Sequence, residues 1–152
     1  VHQHGASPRV RVALNTPEVQ VQFAREHLRR ILVNLLDNAA RYASERAGAI
    51  QVATHAVRHG PAVLMVWSDG AAMEPAVRRH LFEPFFSSES RSSGLGLFIC
   101  RELCERHGAT IHYQRLLRPT EHGDVEGNAF SVYFRKAGRL PESASLFDTL
   151  VV

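Results

Sequence analysis

Apolar and polar positions follow two different periods along the chain, and these periods predict a mixture of helices and strands. Across residues 25–43 the apolar residues recur every three or four positions, which predicts an amphipathic helix. A second long helix is predicted over residues 95–108, and a short one over residues 75–81. The long helices have enough apolar positions to cover one face of a sheet.

Six other segments have the composition and alternation of strands. They are residues 9–14, 19–23, 50–57, 62–67, 110–116 and 129–134. A His59-Gly60-Pro61 turn predicts that the third and fourth form a hairpin, and a glycine-rich loop at residues 121–128 separates the last two. Because strands and helices do not alternate strictly, we expect an α+β fold with a mixed sheet and helices stacked on one face.

Composition places the chain among ordinary soluble domains. Its 152 residues fit one domain with a sizeable core, and its hydrophobic and charged fractions are 45% and 22%. The net charge of +3 is modest and the basic residues are dispersed, so no nucleic-acid partner is expected. The basic cluster at residues 25–30 fits the solvated face of the first helix.

The cysteine usage and the absence of targeting signals point to the cytoplasm. Cys100 and Cys104 lie one helical turn apart, and we interpret them as buried thiols rather than a redox or metal pair. There is no disulfide framework, no signal peptide and no apolar run of membrane length. The opening Val-His-Gln-His suggests that the native protein extends beyond this chain.

Polar residues at helical spacing lie beside the apolar stripe of the first predicted helix. Asn34, Asn38 and Arg41 recur at i, i+4 and i+7, so they share one band of that helix. An amide oxygen suits Mg²⁺ and a guanidinium suits phosphate. Taken alone, the same pattern fits an ordinary amphipathic helix equally well.

Two more stretches lie at the boundaries of predicted elements. Gly94 and Gly96 stand where a polar loop, residues 87–93, becomes the second long helix, and backbone amides at such a point can bind an anion. A lone pair of glycines is a weak signal and also suits a plain helix start. The segment LFEPFF, residues 81–86, suggests by itself only a hydrophobic hinge.

Taken in order, four stretches resemble the ATP-binding catalytic domain of bacterial sensor histidine kinases, within the Bergerat-fold (GHKL) ATPases. NLLDNAARY (residues 34–42) is similar to the N box, SDGAAM (68–73) to the first glycine box, FEPFF (82–86) to the F box and SSGLGL (92–97) to the second glycine box. The resemblance covers residues 8–135 and leaves residues 136–152 as a C-terminal tail. It implies a two-layer α/β sandwich whose mixed sheet is mostly antiparallel. The short polar loop and the run CRELCE look most like the nitrogen-regulation and type IV pilus sensor kinases.

The resemblance implies a Mg-ATP site with named residues. Asn38 corresponds to the metal ligand, and Asn34 stands where hydrolytic relatives carry the glutamate that activates water, so these two form the implied catalytic set. An amide cannot act as that base, which agrees with transfer of phosphate rather than hydrolysis. The polar loop, residues 87–93, corresponds to the ATP lid. The implied ATP-binding residues are Asn38, Arg41, Tyr42, Ser68, Asp69, Gly70, Met73, Phe86, Ser93, Gly94, Leu95, Gly96 and Leu97.

The first glycine box departs from the family pattern at two positions. With Gly70 aligned to the first glycine, Ser68 stands where the family carries the aspartate that reads adenine, and Ala72 replaces the second glycine. Loss of a charge-assisted hydrogen bond costs about 1.5–3 kcal/mol, or roughly ten- to a hundredfold in affinity. Asp69 is one residue away, but on a strand its side chain points to the opposite face.

Two functions are therefore expected as alternatives. The first is a catalytic domain that binds Mg-ATP and phosphorylates a histidine on a separate dimerisation domain, from which the phosphate passes to a response regulator. The second is a pseudokinase module that no longer binds ATP and acts by docking. An anti-sigma serine kinase of the same superfamily fits less well because of the FEPFF segment. We expect a monomeric fragment and a homodimeric complete protein.

Overall fold

The fold is known from a computed structural model that describes residues 9–15, 19–56, 60–86, 94–135 and 144–145. The predicted lid, residues 87–93, lies outside these ranges, and with it Ser92 and Ser93. So do most of the C-terminal tail and the turn at residues 57–59.

Helix α1 spans Arg25–Tyr42, within one residue of its predicted end. Its apolar stripe is buried against the sheet at Leu28, Ile31, Leu35 and Ala39. Sequence periodicity located this helix well because the stripe repeats for five turns at helical spacing. The band of polar residues beside the stripe is therefore held at the edge of the core.

Helices α2 and α3 are both shorter than α1. Helix α2 spans Pro75–Arg79 and begins with its proline, whose missing N–H is not needed at a first helical position. Helix α3 spans Gly96–Arg106 and packs against α1. Both occur where the sequence predicts helices.

The described strands are β1 (Val10–Leu14), β2 (Gln20–Val21), β3 (Ile50–Ala56), β4 (Ala62–Ser68), β5 (Thr110–Thr120), β6 (Gly123–Tyr133) and β7 (Ala144–Ser145). Five of them form the main sheet, in the order β1-β3-β4-β6-β5. The parallel pair is β1 with β3, and the other neighbours are antiparallel. A separate pairing joins β2 and β7. The predicted α+β fold with a mixed, mostly antiparallel sheet is confirmed.

The last hairpin differs from the prediction. A glycine-rich loop was expected over residues 121–128, but β5 and β6 continue to a turn at residues 121–122. Gly123 takes a φ of 94°, and its carbonyl accepts a 2.7 Å hydrogen bond from the Thr120 hydroxyl. The strand was not predicted here because the stretch is polar, and its first residues are exposed or half-buried rather than alternately buried and exposed. Strand β2 is likewise shorter than the predicted strand over residues 19–23.

The two faces of the sheet are covered by different elements. On β4, Leu64 and Val66 belong to the core shared with the helices, whereas Met65 and Trp67 belong to a smaller cluster on the opposite face. Trp67 is completely buried there, and its Nε1 donates to the Leu116 carbonyl at 2.8 Å. This alternation fixes the face to which each residue after Trp67 points.

Candidate nucleotide-binding site

A cavity of about 730 Å³ lies between α1, the segment after β4, and the start of α3. Its walls combine polar groups from α1 with apolar groups from the segments that follow β4. The lining residues are Asn34, Asp37, Asn38, Arg41, Tyr42, Ala71, Ala72, Met73, Glu74, Val77, Leu81, Phe86, Gly94, Gly96, Leu97 and Asn128. Three of the four predicted sequence motifs contribute three or more residues each, and the segment of residues 82–86 contributes Phe86.

The polar band of α1 lines the cavity as its spacing predicts. Asn34, Asn38, Arg41 and Tyr42 all face it from successive turns. The Asn34 Nδ2 donates to the Gly96 carbonyl at 3.2 Å, which ties α1 to the first residue of α3. The α1 amides and the start of α3 are therefore held in one fixed relation.

The glycines before and at the start of α3 serve two different purposes. Gly94 has a φ of 73°, and a Cβ built on it would lie 2.6 Å from the carbonyl carbon of Phe85, so only glycine fits there. The Phe85 N–H donates to the Gly94 carbonyl at 2.8 Å, so the two chain segments run in direct contact. A Cβ on Gly96 would meet nothing within 4 Å. The backbone at Gly96 is thus open on its cavity side.

The first turn of α3 has the properties of an anion-binding end. The side chain of its N-cap residue, Leu95, makes no capping hydrogen bond, and no acidic residue lies in its first turn. Gly96 and Leu97 line the cavity at this point. The positive end of the helix dipole therefore lies at the cavity, which Arg41 also lines.

Ser68 and Asp69 are placed apart by the alternation of β4. Ser68 lies on the face of β4 that packs against the helices, is only 6% exposed, and does not line the cavity. Asp69 lies on the opposite face, where its carboxylate accepts hydrogen bonds from the Ser44 N–H at 2.8 Å and the Ser44 hydroxyl at 2.6 Å. Because that carboxylate is engaged away from the cavity, we correct the prediction and leave Asp69 out of the candidate site.

The remaining predicted residues divide between the lining and its support. Met73, Phe86, Gly94, Gly96 and Leu97 line the cavity. Gly70 and Leu95 do not line the cavity but are next to lining residues in the chain. The Gly70 carbonyl accepts a 2.8 Å hydrogen bond from Arg115.

Sequence reasoning missed Asn128, which lines the cavity from β6 and is only 5% exposed. Its amide donates to the Ala71 carbonyl at 3.0 Å, and its oxygen accepts from Arg115 at 3.1 Å and from the Tyr113 hydroxyl. Burial raises the pKa of Tyr113, against the opposing effect of Arg115 and Arg78. An asparagine directly before the apolar run Ala129-Phe130 is the signal that could have identified it.

The two cysteines are structural, as predicted. Both are fully buried, and the Cys100 thiol lies 3.7 Å from the Ile31 carbonyl. Burial raises the pKa of each thiol to about 12. Among the described residues, no group of three or more His, Cys, Asp or Glu side chains could hold a metal ion. A metal in the cavity would therefore be held by fewer than three such side chains, and amide oxygens or the ligand would complete its shell.

Comparisons with known proteins agree on one family. Residues 24–138 match the family model described as histidine kinase-, DNA gyrase B- and HSP90-like ATPase. The sensor protein kinase PilS of Pseudomonas aeruginosa is 35% identical over 84% of this chain, and the sensor protein CutS of Streptomyces coelicolor is 36% identical over 82%. The chain spans only 23% and 30% of the lengths of those two proteins.

Solved structures show the same fold. The catalytic domain of the histidine kinase ThkA superposes with a TM-score of 0.68 at 24% identity, covering 84% of this chain and 78% of that one. Full-length ShkA in complex with AMPPNP superposes with a TM-score of 0.62 at 25% identity, covering 88% and 29%.

No helix among the described residues is long and apolar enough to cross a membrane. The two curated relatives compared above are both sensor proteins, and ThkA is a histidine kinase. The chain therefore belongs to the histidine kinase-, DNA gyrase B- and HSP90-like ATPases, as an ATPase-type catalytic domain of the sensor histidine kinases.

Proposed function

We propose that this domain binds Mg-ATP in the cavity and donates the γ-phosphate to a histidine on a separate dimerisation domain. One observation carries the proposal: the amide and guanidinium groups of α1 and the start of α3 line the same cavity. This arrangement places oxygen ligands, a cation and backbone N–H groups around one space. These are the groups that a metal-bound triphosphate requires.

Asn38 is the proposed Mg²⁺ ligand. Its amide oxygen is a hard donor, and it lines the cavity one turn from Arg41. Mg²⁺ usually takes one or two protein ligands and completes its shell with phosphate oxygens and water. The donor set therefore fits a metal that arrives with the nucleotide and neutralises charge on its phosphates.

The phosphates are proposed to lie between Arg41 and the start of α3. The N–H groups of Gly96 and Leu97 are at the positive end of the helix dipole, and the missing side chain at Gly96 leaves room for close approach. Arg41 is exposed on α1, so it can reach a phosphate at the mouth.

Asn34 holds the site rather than activating water. Its amide nitrogen is bonded to the Gly96 carbonyl, and an amide cannot remove a proton from water. We therefore expect slow hydrolysis of ATP and productive transfer only when a phosphoacceptor side chain is presented.

The purine is proposed to pack among Tyr42, Met73, Phe86 and Leu97. Ser68 stands in place of a carboxylate at this end, is 6% exposed and does not line the cavity. We expect binding that is weaker than a site with an aspartate by about ten- to a hundredfold.

A pseudokinase module is the second candidate, favoured by one observation. Ser68 is buried and does not line the cavity. The carboxylate of Asp69 is hydrogen-bonded to Ser44 on the other face of the sheet, so it does not reach the base. In that case the domain would act by docking, with its cavity empty at cellular nucleotide concentrations.

The complete protein is proposed to work in the cytoplasm as a homodimer with a response regulator as its partner. We expect this chain to be monomeric, because dimerisation in such kinases is assigned to the separate domain. Multi-angle light scattering tests this, and a dimeric mass would contradict it.

Hydrogen exchange with and without Mg-AMPPNP tests where the nucleotide binds. We expect slower exchange in peptides that cover residues 34–42 and 94–97, and no change in β3, which lies away from the cavity. No protection in either cavity segment, with nucleotide in excess, would contradict the proposal.

Incubation of the complete protein with γ-labelled ATP tests the transfer step. The protein should acquire an acid-labile label, as expected for phosphohistidine, and the Asn38→Ala variant should not.

A further inference from the structure

The buried polar end of the cavity is formed by Asn128. This residue is the Cα partner of Ser68 across the β4–β6 pairing, at the last position of β4. It is 5% exposed and lines the cavity, whereas the two lining carboxylates, Asp37 and Glu74, are exposed on helix α1 and just before α2. Asn128 therefore decides which polar atoms a ligand meets at the buried end.

The hydrogen bonds of Asn128 fix the orientation of its amide. Arg115 Nη1 can only donate, so the atom 3.1 Å from it must be the amide oxygen. The Ala71 carbonyl can only accept, so the atom 3.0 Å from it must be the amide nitrogen. The two contacts agree, and a flipped amide would lose both.

This orientation leaves a donor rather than an acceptor at the buried end. Both acceptor positions of the Asn128 oxygen are used, by Arg115 and by the Tyr113 hydroxyl. Of the two hydrogens on its nitrogen, the contacts among the described residues use one, to Ala71. The remaining N–H can donate to a ligand.

Neighbouring charges strengthen the same preference. The guanidinium of Arg115 lies against Asn128, and its distance of 3.7 Å from the Glu126 carboxylate makes this a loose ion pair. The guanidinium carbon of Arg78 lies 5.0 Å from the centre of the Tyr113 ring. Neither arginine lines the cavity, but both lie next to Asn128 or its partner Tyr113, and the two acidic residues that do line it are exposed. A carbonyl oxygen on the base suits this surrounding, and an exocyclic amine, which is itself a donor, does not.

We propose that the cavity takes a 6-oxopurine nucleotide, with guanine or hypoxanthine as its base, at least as well as it takes an adenine nucleotide. The proposal rests on the proposed nucleotide binding and concerns which base is accepted. It makes Asn128 the residue that determines base specificity.

Calorimetric titration of the chain with Mg-GMPPNP and Mg-AMPPNP tests the proposal. We expect the Kd of the guanosine analogue to be equal to or lower than that of the adenosine analogue. A lower Kd for the adenosine analogue overturns the base preference while leaving the proposed function in place. Binding of neither analogue overturns both.

Asn128→Asp tests whether Asn128 sets the preference. The change replaces a donor with an acceptor at constant size, and Arg115 is in place to balance the charge. We expect the ratio of the two Kd values to move toward adenine by about tenfold. Asn128→Ala, which removes the donor, should move the ratio in the same direction, and it decides the question if Asn128→Asp fails to fold. An unchanged ratio in a folded variant overturns the assignment.

Gln51→Glu is the matched control. Gln51 is also a buried amide, 3% exposed, and its oxygen accepts a 3.0 Å hydrogen bond from Arg118. It does not line the cavity, so the same amide-to-acid change should leave the Kd ratio unaltered. A structural disturbance of the cavity would raise the Kd of both analogues by the same factor and leave their ratio unchanged. A change in the ratio therefore reports base specificity rather than a loss of structure.

Discussion

The carboxylate of Asp69 accepts a 2.6 Å hydrogen bond from the hydroxyl of Ser44 and a 2.8 Å hydrogen bond from its N–H. The two residues join the end of α1 to the end of β4 on the face away from the cavity. The acidic residue of the SDGAAM stretch thus stabilises the fold, and Asn128 is the buried polar residue that lines the base end of the cavity.

Asp69→Asn should lower stability without changing nucleotide affinity. Two partly exposed charge-assisted hydrogen bonds are weakened, which we expect to cost about 1–2 kcal/mol in the free energy of unfolding. Urea denaturation measures the loss, and titration with AMPPNP measures the affinity. A Kd that rises while the urea midpoint stays constant would place Asp69 in the site after all.

Ser68→Asp should strengthen adenine binding. A carboxylate at the end of β4 can accept a hydrogen bond from the exocyclic amine, so we expect the Kd for AMPPNP to fall by about ten- to a hundredfold. Thermal denaturation of the free protein should show a lower midpoint, because the new carboxylate is buried when no base is bound. Unchanged affinity in a folded variant would mean that position 68 does not reach the base.

Gly94→Ala and Gly96→Ala should separate folding from binding. At Gly94 the added Cβ meets the Phe85 backbone at 2.6 Å and the φ is positive, so we expect a loss of about 1–3 kcal/mol. At Gly96 the Cβ has free space within the helix, so stability should hold or rise.

Nucleotide titration then distinguishes the two glycine variants. Gly96→Ala should weaken AMPPNP because its Cβ occupies space where we place the phosphates. If Gly96→Ala binds as tightly as the unmodified chain, the phosphates do not approach this backbone.

The buried thiols should make stability fall at high pH. Because the pKa of Cys100 and Cys104 is raised to about 12, an unfolded chain releases these protons near pH 9 while the folded chain keeps them. Stability contributed by the neutral thiols is therefore lost as the pH rises from 9 toward 12, by about 1.4 kcal/mol per pH unit for each thiol. Urea denaturation at pH 8 and pH 10 measures this. A Cys100→Ala, Cys104→Ala double variant should show a smaller decrease, and an equal decrease would contradict the assignment.

Features encoded in local periodicity were predictable from the sequence. The stripe of α1 repeats over many turns, so it fixed both the helix and the band that carries Asn34, Asn38 and Arg41. Strand alternation likewise predicted that Asp69 points away from the face of Ser68, as the structure shows.

Features that depend on long-range register were not predictable. Asn128 meets the cavity only because β6 pairs with β4 in a register that sets it opposite Ser68, a residue 60 positions earlier. The length of the β5–β6 hairpin was not predicted because its polar half has no alternating pattern of apolar residues. Its β5 strand is held instead by side chains from other strands, since Gln51 donates to the Pro119 carbonyl and Trp67 donates to the Leu116 carbonyl. Neither relationship is visible in a single stretch of sequence.

Isothermal titration of this chain with AMPPNP, with and without Mg²⁺, tests the central claim most directly. We predict binding at one site that strengthens in Mg²⁺, and loss of the Mg²⁺ effect in Asn38→Ala. The absence of binding at millimolar AMPPNP in Mg²⁺ would contradict the proposed Mg-ATP site, and the absence of GMPPNP binding as well would support the pseudokinase alternative.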